Sequence, residues 1–257
     1  MSTTGEVIRA AIHPTGVLVL TLNRPTARNA VNDELAAALG AALNDFDADE
    51  ALRVAVLTGE GGFCAGMDLK ALMRGETGEH GPGGFAGIVR EPPSKPVIAA
   101  VEGFALAGGF EVALACDLIV AASDARMGLP EVQRGLIADG GGLNRLARRI
   151  PRNVAMEMAL TGSEVAVDRL YQLGLVNVVA TPGQALAVAL TLAQQVAGYP
   201  PLPVRLAKQV IRESRGWPID EEWERQAEIT AAVWASDAAA EGARAFTDKR
   251  PAKFPGD

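Results

Sequence analysis

Residues 105–121 read ALAGGFEVALACDLIVA, a nearly unbroken apolar run with Glu111 inside it. The run asks to be buried, and the acid within it limits how. A carboxylate in an apolar helix must neutralise, pair with a cation or meet water, because leaving it charged and alone costs several kcal/mol. From this segment by itself, a core glutamate held by an arginine or backbone amides, a solvent-facing glutamate and a functional acid all remain open.

The surrounding pattern sets the frame. Strands are expected over residues 16–23, 53–59, 96–103, 117–123 and 175–180, each rich in apolar and β-branched residues. Between the first two, Leu35, Leu39, Ala42, Leu43 and Phe46 fall on one helical face, with Asn32 as N-cap and Asp33 and Glu34 at the positive end of the dipole. Strands thus recur roughly every 40 residues, with helical or Gly-rich crossovers, as in stacked β-β-α turns of one coil. After about residue 139 the chain turns mostly helical, over 185–198, 203–214 and 221–236. The last of these places Trp223, Ala227, Thr230, Ala231 and Trp234 on one stripe that needs an apolar surface, either in the same chain or in another subunit. Gly and Pro crowd residues 74–93, which predicts a mobile loop.

Composition excludes several functions. The net charge of −7 argues against a nucleic-acid partner. Cys64 and Cys116 have no metal-ligand spacing, and His13 and His80 are the only histidines, so neither zinc nor a disulfide framework is expected. No signal peptide or membrane span is read, and the chain is expected to be cytoplasmic.

A second unusual acid follows in MGLPEVQRGL (127–136), where Pro130 rigidly aims Glu131. A helix over 108–115, a strand over 117–122 and a return over 126–128 form an out-and-back path that brings residue 131 toward residue 111. Two carboxylates around one apolar pocket have their pKa values pushed apart, so one is protonated while the other is ionised. Gly108, at a helix start, offers a backbone N–H without an intrahelical acceptor. The turn GEGGFCAGMDL (59–69) offers more free amides. It fails the dinucleotide fingerprint, since Cys64 occupies the place of the third glycine, and it lacks the ending of a phosphate loop.

The segments GFCAGMDL, AGGFEVALACDL and GLPEVQRGL together resemble the crotonase, or enoyl-CoA hydratase/isomerase, superfamily, as do NRPTARNAV (23–31), residues 157–179 and EGARAFTDKRPAKF (241–254). The resemblance implies an α/β fold. A spiral of β-β-α turns over 1–195 would carry the active site, and a helical trimerisation region over 196–257 would build a homotrimer or a hexamer of two trimers. It implies an acyl-CoA thioester substrate, with no metal and no cofactor beyond the coenzyme A of the substrate. It assigns the oxyanion hole to the N–H groups of Met67 and Gly108, and water addition to Glu111 and Glu131. Ala65, Gly66, Asp68 and Leu69 would border the adenine, Arg24 would meet the phosphates, and Phe246 and Lys249 would reach the coenzyme from a neighbouring subunit. Retention of both acids points to a hydratase. A carnitinyl-CoA-type dehydratase, an isomerase and a non-catalytic acyl-CoA binder are the alternatives. The quaternary ammonium of the first alternative would favour an aromatic or acidic pocket wall.

Overall fold

The computed structural model describes residues 6–254. The chain opens with a hairpin of β1 (Ile8–His13) and β2 (Val17–Leu22), followed by α1 (Asp33–Ala48) and β3 (Val54–Gly59). Then come α2 (Leu69–Leu72), the two-residue strands β4 (Glu79–His80) and β5 (Gly84–Phe85), β6 (Val97–Val101), β7 (Phe104–Leu106) and α3 (Gly108–Ala115). Next are β8 (Leu118–Ala122), β9 (Arg126–Gly128), α4 (Gly142–Arg149), α5 (Arg152–Thr161), β10 (Val165–Ala166), α6 (Val167–Gln172) and β11 (Val178–Ala180). Four helices finish the chain: α7 (Ala185–Ala197), α8 (Pro201–Glu213), α9 (Glu222–Trp234) and α10 (Asp237–Thr247).

Six strands form one sheet in the order β1-β2-β3-β6-β8-β11, parallel throughout except for the β1–β2 hairpin. A second, smaller layer has the order β10-β9-β7, with β7 and β9 parallel. The turn after β3 joins this layer through a parallel bridge from Cys64 to Ala105. Each turn of the chain therefore lays one strand in the large sheet and the next segment in the small one. That is the expected β-β-α coil.

Alternation sorts the sheet's side chains to two buried faces. Val54, Val56, Ile98, Ala100 and Val120 meet the alanine stripe Ala185, Ala189, Ala193 and Ala197 of α7. Ala55, Leu57, Ala99 and Ile119 face the main core with Leu35, Leu39, Leu43 and Phe46 of α1. The Asn32 side chain caps α1, accepting from the Leu35 N–H at 3.1 Å.

Two features bear on the expectations. Within residues 74–93, where a mobile loop is expected, residues 83–89 are buried, Phe85, Ala86, Ile88 and Val89 among them, whereas Arg74, Gly75, Thr77, Glu79, Gly81 and Pro82 are exposed. The glycines there serve close approach: a Cβ on Gly87, at φ +68°, would come 2.5 Å from the Gly40 Cα. The stripe on α9 finds no cover in its own chain, for α8 and α9 bury no residue and Trp223 and Trp234 are 80% and 82% exposed. No helix among the described residues is long and apolar enough to cross a membrane.

Candidate active site

The turn that starts α3 is built on Ala107, held at φ +52°, a conformation that costs a non-glycine residue about 1–3 kcal/mol. Neighbouring bonds enforce it. The Ala107 N–H donates to the Gly128 carbonyl at 2.9 Å, and its own carbonyl accepts from Phe110 and Glu111. The chain thereby leaves β7 and enters the helix at once, and the Gly108 N–H has no acceptor among the described residues. The Met67 N–H has none either. Their two turns touch: a Cβ on Gly66 would lie 2.9 Å from the Gly108 nitrogen, and one on Gly108 would lie 2.6 Å from the Phe85 ring.

Asn29 organises the Met67 turn. Wholly buried, it donates to the carbonyls of Glu60 and Gly62 and accepts from the Arg24 N–H. The Cys64 thiol donates to the Asn29 carbonyl, and burial pushes its pKa up to about 12, so it packs and is no nucleophile.

Glu111 lies in the first turn of α3, 3% exposed. Its Oε1 accepts from the Gly142 N–H at 2.8 Å. The triple glycine 140–142 wraps the carboxyl so closely that a Cβ on Gly140 or Gly142 would come within 2.7 or 2.8 Å of it. Burial raises the Glu111 pKa, while the Gly142 and Gly140 amides pull it back. Glu131 sits in the 3-10 turn Pro130–Arg134, 9% exposed, and its Oε2 is buried with no hydrogen-bond partner among the described residues. Burial foremost, and then the charges of Glu111 and Asp139, push its pKa up to about 7. The two glutamates therefore feel each other electrostatically, and their surroundings differ. Burial raises both; at Glu111 the Gly142 and Gly140 amides temper the rise, whereas at Glu131 the only amide to do so is its own backbone N–H, and one oxygen has no partner among the described residues.

This asymmetry has a consequence for stability. A carboxyl whose native pKa rises from 4.5 to about 7 binds more protons folded than unfolded across that interval, so its contribution to stability is lost as pH rises through it. Denaturation at graded pH is expected to show stability falling between these limits, and Glu131→Gln should flatten that slope. An unchanged slope in the variant would contradict the raised pKa.

The remaining candidates divide. Arg24 is ion-paired with Asp68 at 3.2 Å and donates to the Ala30 carbonyl, so its charge is already engaged. Asp68 also caps α2 by accepting from Lys70 and Ala71. Although burial opposes it, the Ala71 amide and the Arg24 guanidinium hold its carboxyl below the ordinary range. Ala65, Gly66 and Leu69 lie on the same turn, with Leu69 44% exposed. Phe246, 87% exposed, lies at the end of α10 and Lys249 just beyond it, and α10 packs against α9. Sequence reasoning missed Gly140, Gly142 and Asp139. The signal was the run DGGG at 139–142, directly before a helix.

Residues 13–257 match the model of the enoyl-CoA hydratase/isomerase family. The chain belongs to this family. It is 49% identical to an enoyl-CoA hydratase from Mycobacterium marinum, with 98% of this chain and 100% of the other covered at a TM-score of 0.94. A carnitinyl-CoA dehydratase of Salmonella typhi is 40% identical over 91% of this chain and 93% of its own. A carnitinyl-CoA hydratase structure from Mycobacterium avium, 40% identical, covers 99% of this chain and 100% of its own at a TM-score of 0.78. Family members named hydratase and dehydratase thus surround the chain, and the coil found here is the fold of the family.

Proposed function

We propose that this family member is an enoyl-CoA hydratase, catalysing reversible syn addition of water to trans-2-enoyl-CoA thioesters without metal or redox cofactor. The observation that carries the reading is the pair of buried glutamates, one held by neighbouring amides and one with a partnerless oxygen, beside two unclaimed amides. The Met67 and Gly108 N–H groups hold the thioester oxygen as it gains enolate charge. Ionised Glu111 takes a proton from water, whose hydroxyl bonds to C3. Protonated Glu131 delivers its proton to C2, and exchange with solvent resets the pair. In reverse the same groups remove water. Arg24, Ala65, Gly66, Asp68 and Leu69 border the coenzyme, and Phe246 and Lys249 reach it from a neighbouring copy. The exposed tryptophans of α9 support a trimer or a hexamer, and the reading takes the enzyme as cytoplasmic.

A second reading, dehydration of a carnitinyl-type thioester, is favoured by the 40% identity to the Salmonella protein and by the Asp139 carboxylate near both glutamates. A panel of enoyl-CoA thioesters of graded length, with crotonobetainyl-CoA alongside, separates the two. The hydratase reading expects the highest kcat/KM on an uncharged enoyl chain. Turnover confined to crotonobetainyl-CoA selects the second reading. Double-bond migration without hydration, or calorimetric binding with no turnover on any member, defeats both.

A further inference from the structure

A cavity of about 850 Å³ lies between α4 and α8. It reaches Ala115 at the C-terminal end of α3, whereas Gly108 at the other end, Met67, Glu111 and Glu131 do not line it. Cations outnumber acids on its wall in a protein of net charge −7: Arg90, Arg145, Arg148, Arg149, Lys208, Arg212 and Arg215 line it, against Glu79, Asp117 and Asp139. Lys208 is paired with Asp117 at 2.6 Å. Among the described residues no carboxylate comes within 4 Å of Arg145, Arg148, Arg149, Arg212 or Arg215. Arg148 and Arg215 make no hydrogen bond there either. Burial first, and then mutual repulsion, lowers the pKa of Arg145 and of Arg149.

Arg145, Arg149 and Arg212 donate to backbone carbonyls but pair with no carboxylate, and like charges gathered around one cavity repel, a cost that a bound anion lowers. Guanidiniums present forks that match phosphate and carboxylate oxygens, and the fork is stronger with each added charge on the ligand. Val204 and Ile211 on α8 supply apolar wall for an organic body. We propose that this cavity is a binding site for a phosphate-bearing anion of two or more charges, such as an organic diphosphate, separate from the thioester site. The site has a mechanical link to the glutamates. Arg145 donates to the Gly140 carbonyl at 3.2 Å and to the Val89 carbonyl, and the loop it grips supplies the Gly140 and Gly142 amides that hold Glu111. An anion that draws Arg145 toward the cavity acts on that loop.

The test is calorimetric titration of the purified wild-type assembly with inorganic diphosphate, ADP and citrate. It does not depend on the substrate or on turnover. Diphosphate is expected to bind with Kd below about 1 mM, and Arg148→Gln with Arg215→Gln to weaken it by about tenfold or more while circular dichroism stays unchanged. Tighter binding of ADP than of diphosphate assigns the apolar wall to a base or sugar, and equal binding assigns the site to the phosphates alone. Citrate binding more tightly than both overturns the phosphate assignment. No heat with diphosphate at millimolar concentration, equal affinity in the double variant, or strict competition with acyl-CoA overturns the site. So does dissociation of the double variant to monomers by light scattering. That result would make the cavity a subunit interface, entered by an acidic face such as Glu224 and Glu228 of α9.

Discussion

Glu111→Gln and Glu131→Gln are each expected to lower turnover by about 10²–10⁴-fold while acyl-CoA binding persists. The two losses have different origins. At Glu131 the side chain is buried, one oxygen lacks any partner among the described residues, and the pKa lies near about 7, so near-neutral solution holds a large share of the acid ready to give its proton. Glutamine keeps the shape and has no such proton to give. At Glu111 the carboxylate accepts from the Gly142 amide and is stabilised by the Gly140 amide as well. A glutamine must turn its NH₂ toward one of those donors, so this variant loses the base and also strains the loop. Glu111→Gln should therefore lose thermal stability, whereas Glu131→Gln should gain it above neutral pH, where the native carboxylate is buried and charged. Steady-state rates, calorimetric binding of a saturated acyl-CoA and melting curves separate these effects. Full activity in either variant would remove the two-glutamate mechanism.

The parts of this site differ in how far the chain alone reveals them. Strand and helix positions follow from local periodicity, and α3 at Gly108–Ala115 matches the expected helix residue for residue. The approach of Glu131 to Glu111 is also legible, since the short path through β8 and β9 leaves little freedom. Contacts that depend on backbone meeting backbone are not. A glycine-rich stretch reads as loose, yet Gly87 exists to let its segment lie on Gly40, and Gly140 and Gly142 to let theirs lie on a carboxylate. Nothing in a one-dimensional pattern separates glycine that frees a chain from glycine that admits a neighbour. The positive φ at Ala107 is equally hidden, because alanine gives no hint of it and the Gly128 carbonyl that enforces it lies in another strand. The apolar stripe of α9 is legible as unsatisfied, and its exposure in the single chain leaves the choice of partner to assembly experiments.

Gly66→Ala is expected to cost about 10²–10³ in kcat, the usual loss when one oxyanion donor fails. Gly66 sits at φ +95°, and an added methyl would lie 2.9 Å from both the Gly108 nitrogen and the Ala107 Cβ and 3.0 Å from the Leu106 carbonyl. These are backbone or short, stiff atoms, so they cannot swing aside. The methyl must push the two turns apart, and separation moves the Met67 and Gly108 amides away from a common oxygen. Backbone strain alone would also destabilise the protein, and Gly75→Ala controls for it. Gly75 has φ +90° and nothing within 4 Å of the added Cβ, so it carries comparable strain with no oxyanion contact. Gly109→Ala marks the opposite limit. Its methyl would stand 2.2 Å from the Cys64 carbonyl, and that variant should fail at folding. The prediction is a folded Gly66→Ala enzyme that melts below Gly75→Ala, because the clashes add to the shared strain, and that loses the kcat which Gly75→Ala leaves intact. A Gly66→Ala enzyme with wild-type kcat would mean that the amides of Met67 and Gly108 do not act on one atom, and the proposed site would have to be abandoned.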